Sequence, residues 1–259
     1  MKDGFKHFTI FIALSLFFFF VVLIISLFGF TDLSGIFVVA SSPRVIYSIK
    51  LSLSAAAMAT CFSLLIAVPS GYALSRYDFF GKKTVDLVLE VPMVVTPVAL
   101  GALLLIFFNT RCGEFIQMTG FSFVFEFSGI VLAQFVTTVG IATRMIKATF
   151  DEISPRYEAV ARTLGATSTK AFLTVTLPIA KKGLLAAAVL TFAKCIGEFG
   201  ATIMLAGSMP MKTETLPISI FMRLSNADIK GMAVLILILL VIGLSTLMMI
   251  KTFLEEKHD

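Results

Sequence analysis

The sequence predicts an all-α integral membrane protein of six transmembrane helices, with both termini cytoplasmic and a short cytoplasmic helix between helices four and five. Three observations predict it. Of 259 residues, 58% are hydrophobic and 14% charged, and the mean hydropathy is +0.99; soluble domains hold about 45–50% apolar and about 25% charged residues. The apolar residues gather in runs of about 20, the length that crosses a bilayer core about 30 Å thick. The basic residues then favour one side of those runs.

The first run, roughly 8–30, holds no charge and is long enough to cross with some tilt. It is too long for a cleaved signal segment and no small-residue cleavage site follows, so it reads as a retained anchor. The second, roughly 48–75, carries Ser52-Leu-Ser-Ala-Ala-Ala-Met-Ala-Thr60, small residues that let neighbouring helices approach closely. It closes through Pro69, Ser70 and Gly71 into a cytoplasmic turn, 76–83, with Gly81 at a tight bend. The third, roughly 84–108, contains Pro92 and Pro97. Backbone carbonyls freed by proline are tolerated where neighbours or a water-filled cavity satisfy them, so the pair reads either as path lining or as a kink fixed for packing. Loop 109–127 leads to the fourth run, roughly 128–149, and the last two lie at roughly 183–206 and 232–253. The whole chain, 1–259, reads as one integral domain.

Orientation follows from the flanking charges. One side receives Lys2, Lys6, Arg76, Lys82, Lys83, Arg144, Lys147, Arg156, Arg162, Lys170, Lys181, Lys182, Lys251 and Lys257. The other receives Arg44, Lys50, Arg111, Lys212, Arg223 and Lys230, with Lys194 inside the fifth run. The richer side is the cytoplasmic one, which puts the chain in the cell membrane with both ends inside. This bias accounts for the net charge of +5, so membrane lipid is the expected surrounding and nucleic acid is not a partner. Cys61 and Cys195 sit in runs, Cys112 in an external loop, and His7 and His258 near the ends. That pattern has neither paired cysteine spacing nor a metal-ligand cluster.

The cytoplasmic stretch of about 150–182 has helix signals of its own. Ser154 can cap a helix, Pro155 suits its first position, and Gly165 can close it in a left-handed conformation. Tyr157, Val160, Ala161 and Leu164 fall on one face; Arg156, Glu158 and Arg162 face elsewhere. Such a helix either lies on the lipid surface or inserts as a knob into a partner's groove.

Glu158-Ala-Val-Ala-Arg-Thr-Leu-Gly165, with Leu177-Pro178 downstream, resembles the EAA motif of ABC importer permeases. Counted from Gly165, Val175 holds the motif's isoleucine position and Ala159 the place of its usual glutamate, so Glu158 stands one place early. A second block, Gly197-Glu-Phe-Gly-Ala-Thr-Ile-Met-Leu-Ala-Gly207 followed by Lys212-Thr-Glu-Thr-Leu-Pro217 and Ile220-Phe221, is similar to the molybdate/tungstate and sulfate permeases. The resemblance runs from about residue 48 onward; Thr96 replaces a frequent second proline and Lys194 a common arginine.

The resemblance implies an ATP-driven oxyanion importer working by alternating access. Its partners would be a second copy of the chain, two cytoplasmic ABC ATPase subunits holding ATP and Mg, and an extracytoplasmic oxyanion-binding protein. The short helix, through Tyr157, Glu158, Val160, Ala161, Arg162, Leu164 and Gly165, would couple to the ATPase. This chain has no Gly-x-x-x-x-Gly-Lys-Ser/Thr loop and so needs no cofactor of its own and is not itself an enzyme. A dianion crossing a low-dielectric path calls for weak, multi-site donors. Thr96, Thr202, Ser208, Thr213 and Thr215 are the hydroxyl candidates, with Pro92, Pro97, Lys194 and Glu198 on the path or gate. Glu198 would repel an anion; a structural pair with Lys194, four residues earlier, or a hydrogen bond in the gate is the expected role. Gly197 and Gly200 would allow close helix approach at a dimer axis, and Glu90 would be a solvated end-of-helix charge. Sulfate is the alternative cargo. A secondary transporter would want paired ionisable groups and an inverted repeat, and a membrane enzyme a nucleophile with its base or a His/Asp/Glu cluster.

Overall fold

The computed structural model describes residues 2–31, 33–118, 120 and 122–255; Lys257 and His258 lie outside them. The described residues are helical with no strand. Five helices are long and apolar enough to cross a bilayer, and a bent pair makes a sixth if it is one span.

Helix α1 (Lys2–Phe28) presents nearly all its side chains outward. A short helix, α2 (Leu33–Ala40), leads into α3 (Pro43–Arg76), where Ser42 caps the N-terminus by accepting from the Val45 N–H. At 34 residues, α3 is about 51 Å long. It runs through Pro69 without stopping and is longer than a bilayer core about 30 Å thick.

The third predicted span is two pieces. Helices α4 (Lys82–Leu89) and α5 (Val91–Val94) are followed by α6 (Pro97–Phe108), bent by 112°. The prolines do not kink a continuous helix. Pro97 opens α6, whose Thr96 cap is extended (ψ 145°) and accepts from the Ala99 N–H, and Pro92 sits at the start of α5. Proline fits a first helical turn because its missing N–H has no intrahelical partner there. Helix α7 (Arg111–Met118) occupies the predicted loop, and α8 (Phe127–Asp151) is the fourth span.

Helix α9 (Arg156–Thr163) is the predicted cytoplasmic helix. Then α10 (Ser168–Ala171), a π-helical turn at Phe172–Thr176 and α11 (Leu177–Ile196) form one span of 29 residues. The fifth span therefore starts before the predicted 183 and stops at Ile196. Residues 197–199 break the chain, and α12 (Gly200–Ala206) follows as a separate short helix. Helices α13 (Leu216–Ser225) and α14 (Ile229–Glu255) complete the chain.

The core is the long contact of α3 with α8, flanked by α11. Ser52, Ala55, Ala56, Ala59, Thr60 and Ser63 recur at helical spacing on the buried face of α3, as the small-residue run predicts. On α8 the matching positions are Gly129, Ala133, Thr137 and Thr138, and the Ser63 and Thr138 hydroxyls bond across at 3.1 Å. Without a strong hydrophobic drive inside lipid, such close small-residue packing with a few interhelical hydrogen bonds is what joins helices. Cys195 is buried in this core, whereas Cys61 lies on the exposed side of α3.

Candidate coupling and translocation sites

Helix α9 lies between the spans α8 and α10–α11, where the sequence places the short helix. The Ser154 hydroxyl accepts from the Arg156 N–H at its start. At its end Gly165 takes φ +88°, with Gly165 N–H bonding to Arg162 O and Ala166 N–H to Ala161 O, the paired closure of a Schellman motif. Tyr157 is 57%, Val160 59% and Leu164 83% exposed. Spaced i, i+3 and i+7, they form one apolar ridge facing away from the protein. Ala161, predicted on that face, is half-buried, and Arg162 lines an open groove of about 700 Å³ with Ala159, Thr163 and Ser168.

Glu158 does not share the exposed surface; its side chain is only 14% exposed. The Tyr72 hydroxyl donates to one carboxylate oxygen at 2.6 Å, and the Thr176 hydroxyl (2.6 Å) and Arg76 Nε (3.3 Å) donate to the other. Burial pushes this carboxyl upward, but the bonds from Thr176 and Tyr72 and the charge and bond of Arg76 outweigh it, holding it below its ordinary value. Arg76 also donates to the Ile153 carbonyl at 2.7 Å. Sequence reasoning missed Tyr72, Arg76 and Thr176, which stand 86, 82 and 18 residues from Glu158.

The two chain breaks come together. An added Cβ on Gly200 would lie 3.0 Å from Val98 N and 3.1 Å from the Pro97 side chain. One on Gly101 would lie 2.7 Å from Ala201 O and 2.8 Å from Met204 Cβ. Helices α6 and α12 therefore run side by side in the same direction, starting at one level. The close approach allowed by Gly200 is to α6 of the same chain. Glu198 is 4% exposed and its carboxylate accepts the Ala201 N–H at 3.0 Å, capping α12. Because α11 ends at Ile196, Lys194 and Glu198 do not share a helix face; Lys194 is exposed in the last turn of α11, and no ion pair joins them among the described residues.

The remaining path candidates divide. Thr96 is exposed, with Pro92 and Pro97 half-buried beside it, and Ser208 is half-buried. Thr202, Thr213 and Thr215 are at most 1% exposed, so within one chain they line no open surface. Thr213 instead accepts from the Met209 N–H in a turn, while the Thr202 and Thr215 hydroxyls are buried without a hydrogen-bond partner among the described residues. Glu90 is not a solitary solvated charge: it pairs with Arg144 at 2.5 Å. One helical turn away on α8, an added Cβ at Gly140 would overlap the Leu89 carbonyl, so the α4–α5 joint rests directly on α8. On the opposite side the buried Glu214 carboxylate accepts both Arg44 Nε (2.8 Å) and Nη2 (2.9 Å).

Residues 59–255 match the family of binding-protein-dependent transport system inner membrane components. The chain belongs to that family. It is 37% identical over 179 residues to the molybdenum transport system permease protein ModB of Haemophilus influenzae, covering 68% of this chain and 78% of that one. It is also 30% identical over 216 residues to the sulfate transport system permease protein CysT of Salmonella typhimurium, covering 83% and 78%. Its fold is like that in the crystal structure of a bacterial ABC transporter involved in the import of alginate, with TM-score 0.79, 14% identity and coverage of 100% and 99%. The inward-facing MetNI methionine ABC transporter gives TM-score 0.63 at 17% identity, covering 80% and 93%. This is an ABC importer permease subunit, and the secondary-transporter and membrane-enzyme alternatives fall away.

Proposed function

We propose that this chain carries a tetrahedral oxyanion, molybdate or tungstate, across the cell membrane by alternating access. It works as a homodimer with two ATPase subunits inside and an oxyanion-binding protein outside. In this reading the bent pair α4–α6 counts as one span, giving six with both termini cytoplasmic. Higher identity to the molybdenum relative than to the sulfate relative supports the cargo. Sulfate is the second reading, favoured by the longer stretch shared with the sulfate relative.

The observation that carries the coupling half of the proposal is the ridge of Tyr157, Val160 and Leu164. Three apolar side chains more than half exposed on an eight-residue helix lack the burial that stabilises so short a helix. A groove on the ATPase supplies it. ATP bound there moves the ridge, and α3, α8 and α11 move with it. The path runs past the joined starts of α6 and α12, where the exposed Thr96 hydroxyl offers a weak donor. Glu198 occupies the Ala201 N–H at the start of α12, so that donor is not left free to trap a dianion.

The test is uptake of labelled molybdate into proteoliposomes containing this chain, its ATPase and its binding protein, with ATP inside. Uptake that needs ATP and is competed by tungstate before sulfate is the expected result. Competition by sulfate at equal concentration replaces the cargo, and ATP-independent uptake refutes the mechanism. The variant Leu164→Asp should abolish copurification of the ATPase.

A further inference from the structure

We infer that Glu158 is a positioning residue for coupling: its carboxylate fastens the docking helix α9 to the inner ends of α3 and α11, so the three move as one lever. The inference rests on the reading of α9 as the docking helix. What points to it is where the carboxylate sits. It lies on the side of α9 opposite the ridge and receives donors from α3 (Tyr72 and Arg76) and from the end of the π turn (Thr176). Three donors occupy most of the roughly four acceptor positions of a carboxylate. Arg76, only 8% exposed, supplies the matching charge and ties the same knot to the Ile153 carbonyl at the end of α8. Around it the Tyr72 ring packs on Phe172 at 4.6 Å and Phe150 at 5.7 Å between centroids.

The π turn gives this clamp its purpose. Leu177 N–H reaches back five residues to Phe172 O, and Pro178 has no N–H to offer the preceding turn. The segment therefore holds one residue more than an α-helical turn would. Release of that residue would shift α11 by about 1.5 Å and rotate it by about 100°. A push on α9 would be absorbed there unless the far end of the turn were held. Thr176 is the last residue of the π turn, and Glu158 holds it. Movement of α9 then passes to α11 and onward to the break that precedes α12.

The experiment compares the wild-type complex with Glu158→Gln, Thr176→Val and Tyr72→Phe in the same proteoliposomes, reading oxyanion imported per ATP hydrolysed. Spin-label distances from α9 to the inner end of α3 are read alongside. The expected result is that the ATPase still copurifies with each variant. The ratio of import to hydrolysis falls at least fivefold in Glu158→Gln and less in the single-hydroxyl variants. The α9–α3 distance distribution broadens on ATP binding. An unchanged ratio in all three variants overturns the inference. So does loss of ATPase capture by Glu158→Gln, which would make the residue part of the docking surface. Leu164→Asp keeps the two ideas apart: if it still captures ATPase, the docking reading itself has failed.

Discussion

Gly101→Ala tests the contact on which the proposed translocation path is built. The new methyl carbon would stand 2.7 Å from the Ala201 carbonyl oxygen, 2.8 Å from Ala201 Cα and 2.8 Å from Met204 Cβ. Carbon atoms in contact prefer about 3.5–4.0 Å, so α6 and α12 must part by about 0.7 Å. Two of the obstacles are backbone atoms and the third is a Cβ, so no side-chain rotation relieves the overlap. Overpacking of this kind costs about 1–3 kcal/mol, and three simultaneous clashes place it near 2–3. Replacing glycine inside a helix returns roughly 0.5–1 kcal/mol, leaving a net loss of about 1–2. Gly243→Ala in α14 is the control, because nothing lies within 4 Å of its added Cβ; it should gain about 0.5–1 kcal/mol from helix propensity alone. The two variants should then differ by about 2–3 kcal/mol, or about 4–12 °C in Tm for a chain of this size. Far-UV circular dichroism of the detergent-purified protein measures that difference. If Gly101→Ala melts within 1 °C of Gly243→Ala, the two short helices do not touch as described and the site has been assembled wrongly.

Three further outcomes follow from named contacts. Glu198→Ala should cost about 1–2 kcal/mol by uncapping α12, whereas Glu198→Gln, which keeps an acceptor oxygen, should retain most stability and leave oxyanion competition unchanged; thermal melts and uptake competition read both. Arg44→Ala strands the buried Glu214 carboxylate and should destabilise by about 3 kcal/mol, discounted from the full range because Arg44 is itself half exposed, and Arg44→Ala with Glu214→Ala should recover part of that loss. The Asp228 carboxyl is held below its ordinary value by the Gly231 N–H, against burial, and by Arg223. Its stabilising contribution is therefore present above the unfolded value of about 3.9 and lost as pH falls through the lower folded value; Asp228→Asn should lower Tm at pH 7 and match the wild type at about pH 2.

Much of this architecture is legible in the chain because bilayer thickness and helix rise fix how long an apolar run must be. Four of the five unbroken spans, α1, α3, α8 and α14, lie where hydropathy puts them, with ends shifted by several residues. The left-handed glycine closing α9 and the buried stripe of Ser52, Ala55, Ala56 and Ala59 also follow from local rules. What hydropathy does not register is a break, since a helix interrupted inside protein is as apolar as a continuous one. Residues 91–95 and 197–206 are therefore read as continuations, and Glu198 is assigned a helical neighbour, Lys194, that the end of α11 at Ile196 removes. The local clue was Thr96-Pro97, because the residue before proline is driven out of the helical region and proline opens a helix more easily than it bends one.

The surroundings of Glu158 are illegible for a different reason: periodicity sets it off the apolar face but does not say whether that face or the opposite one turns toward the rest of the chain. Helix α9 is inverted: its apolar ridge points away from the chain and its acid points in. An inverted helix is costly for an isolated chain, since it exposes Leu164 almost completely and desolvates a carboxylate. The inward cost is offset by three donors and the Arg76 charge; in the proposed docking, the ATPase groove offsets the outward cost by covering the ridge. The inversion is thus what the docking proposal requires: an acid held from behind by α3 and the π turn, and an apolar ridge left free for a partner in front.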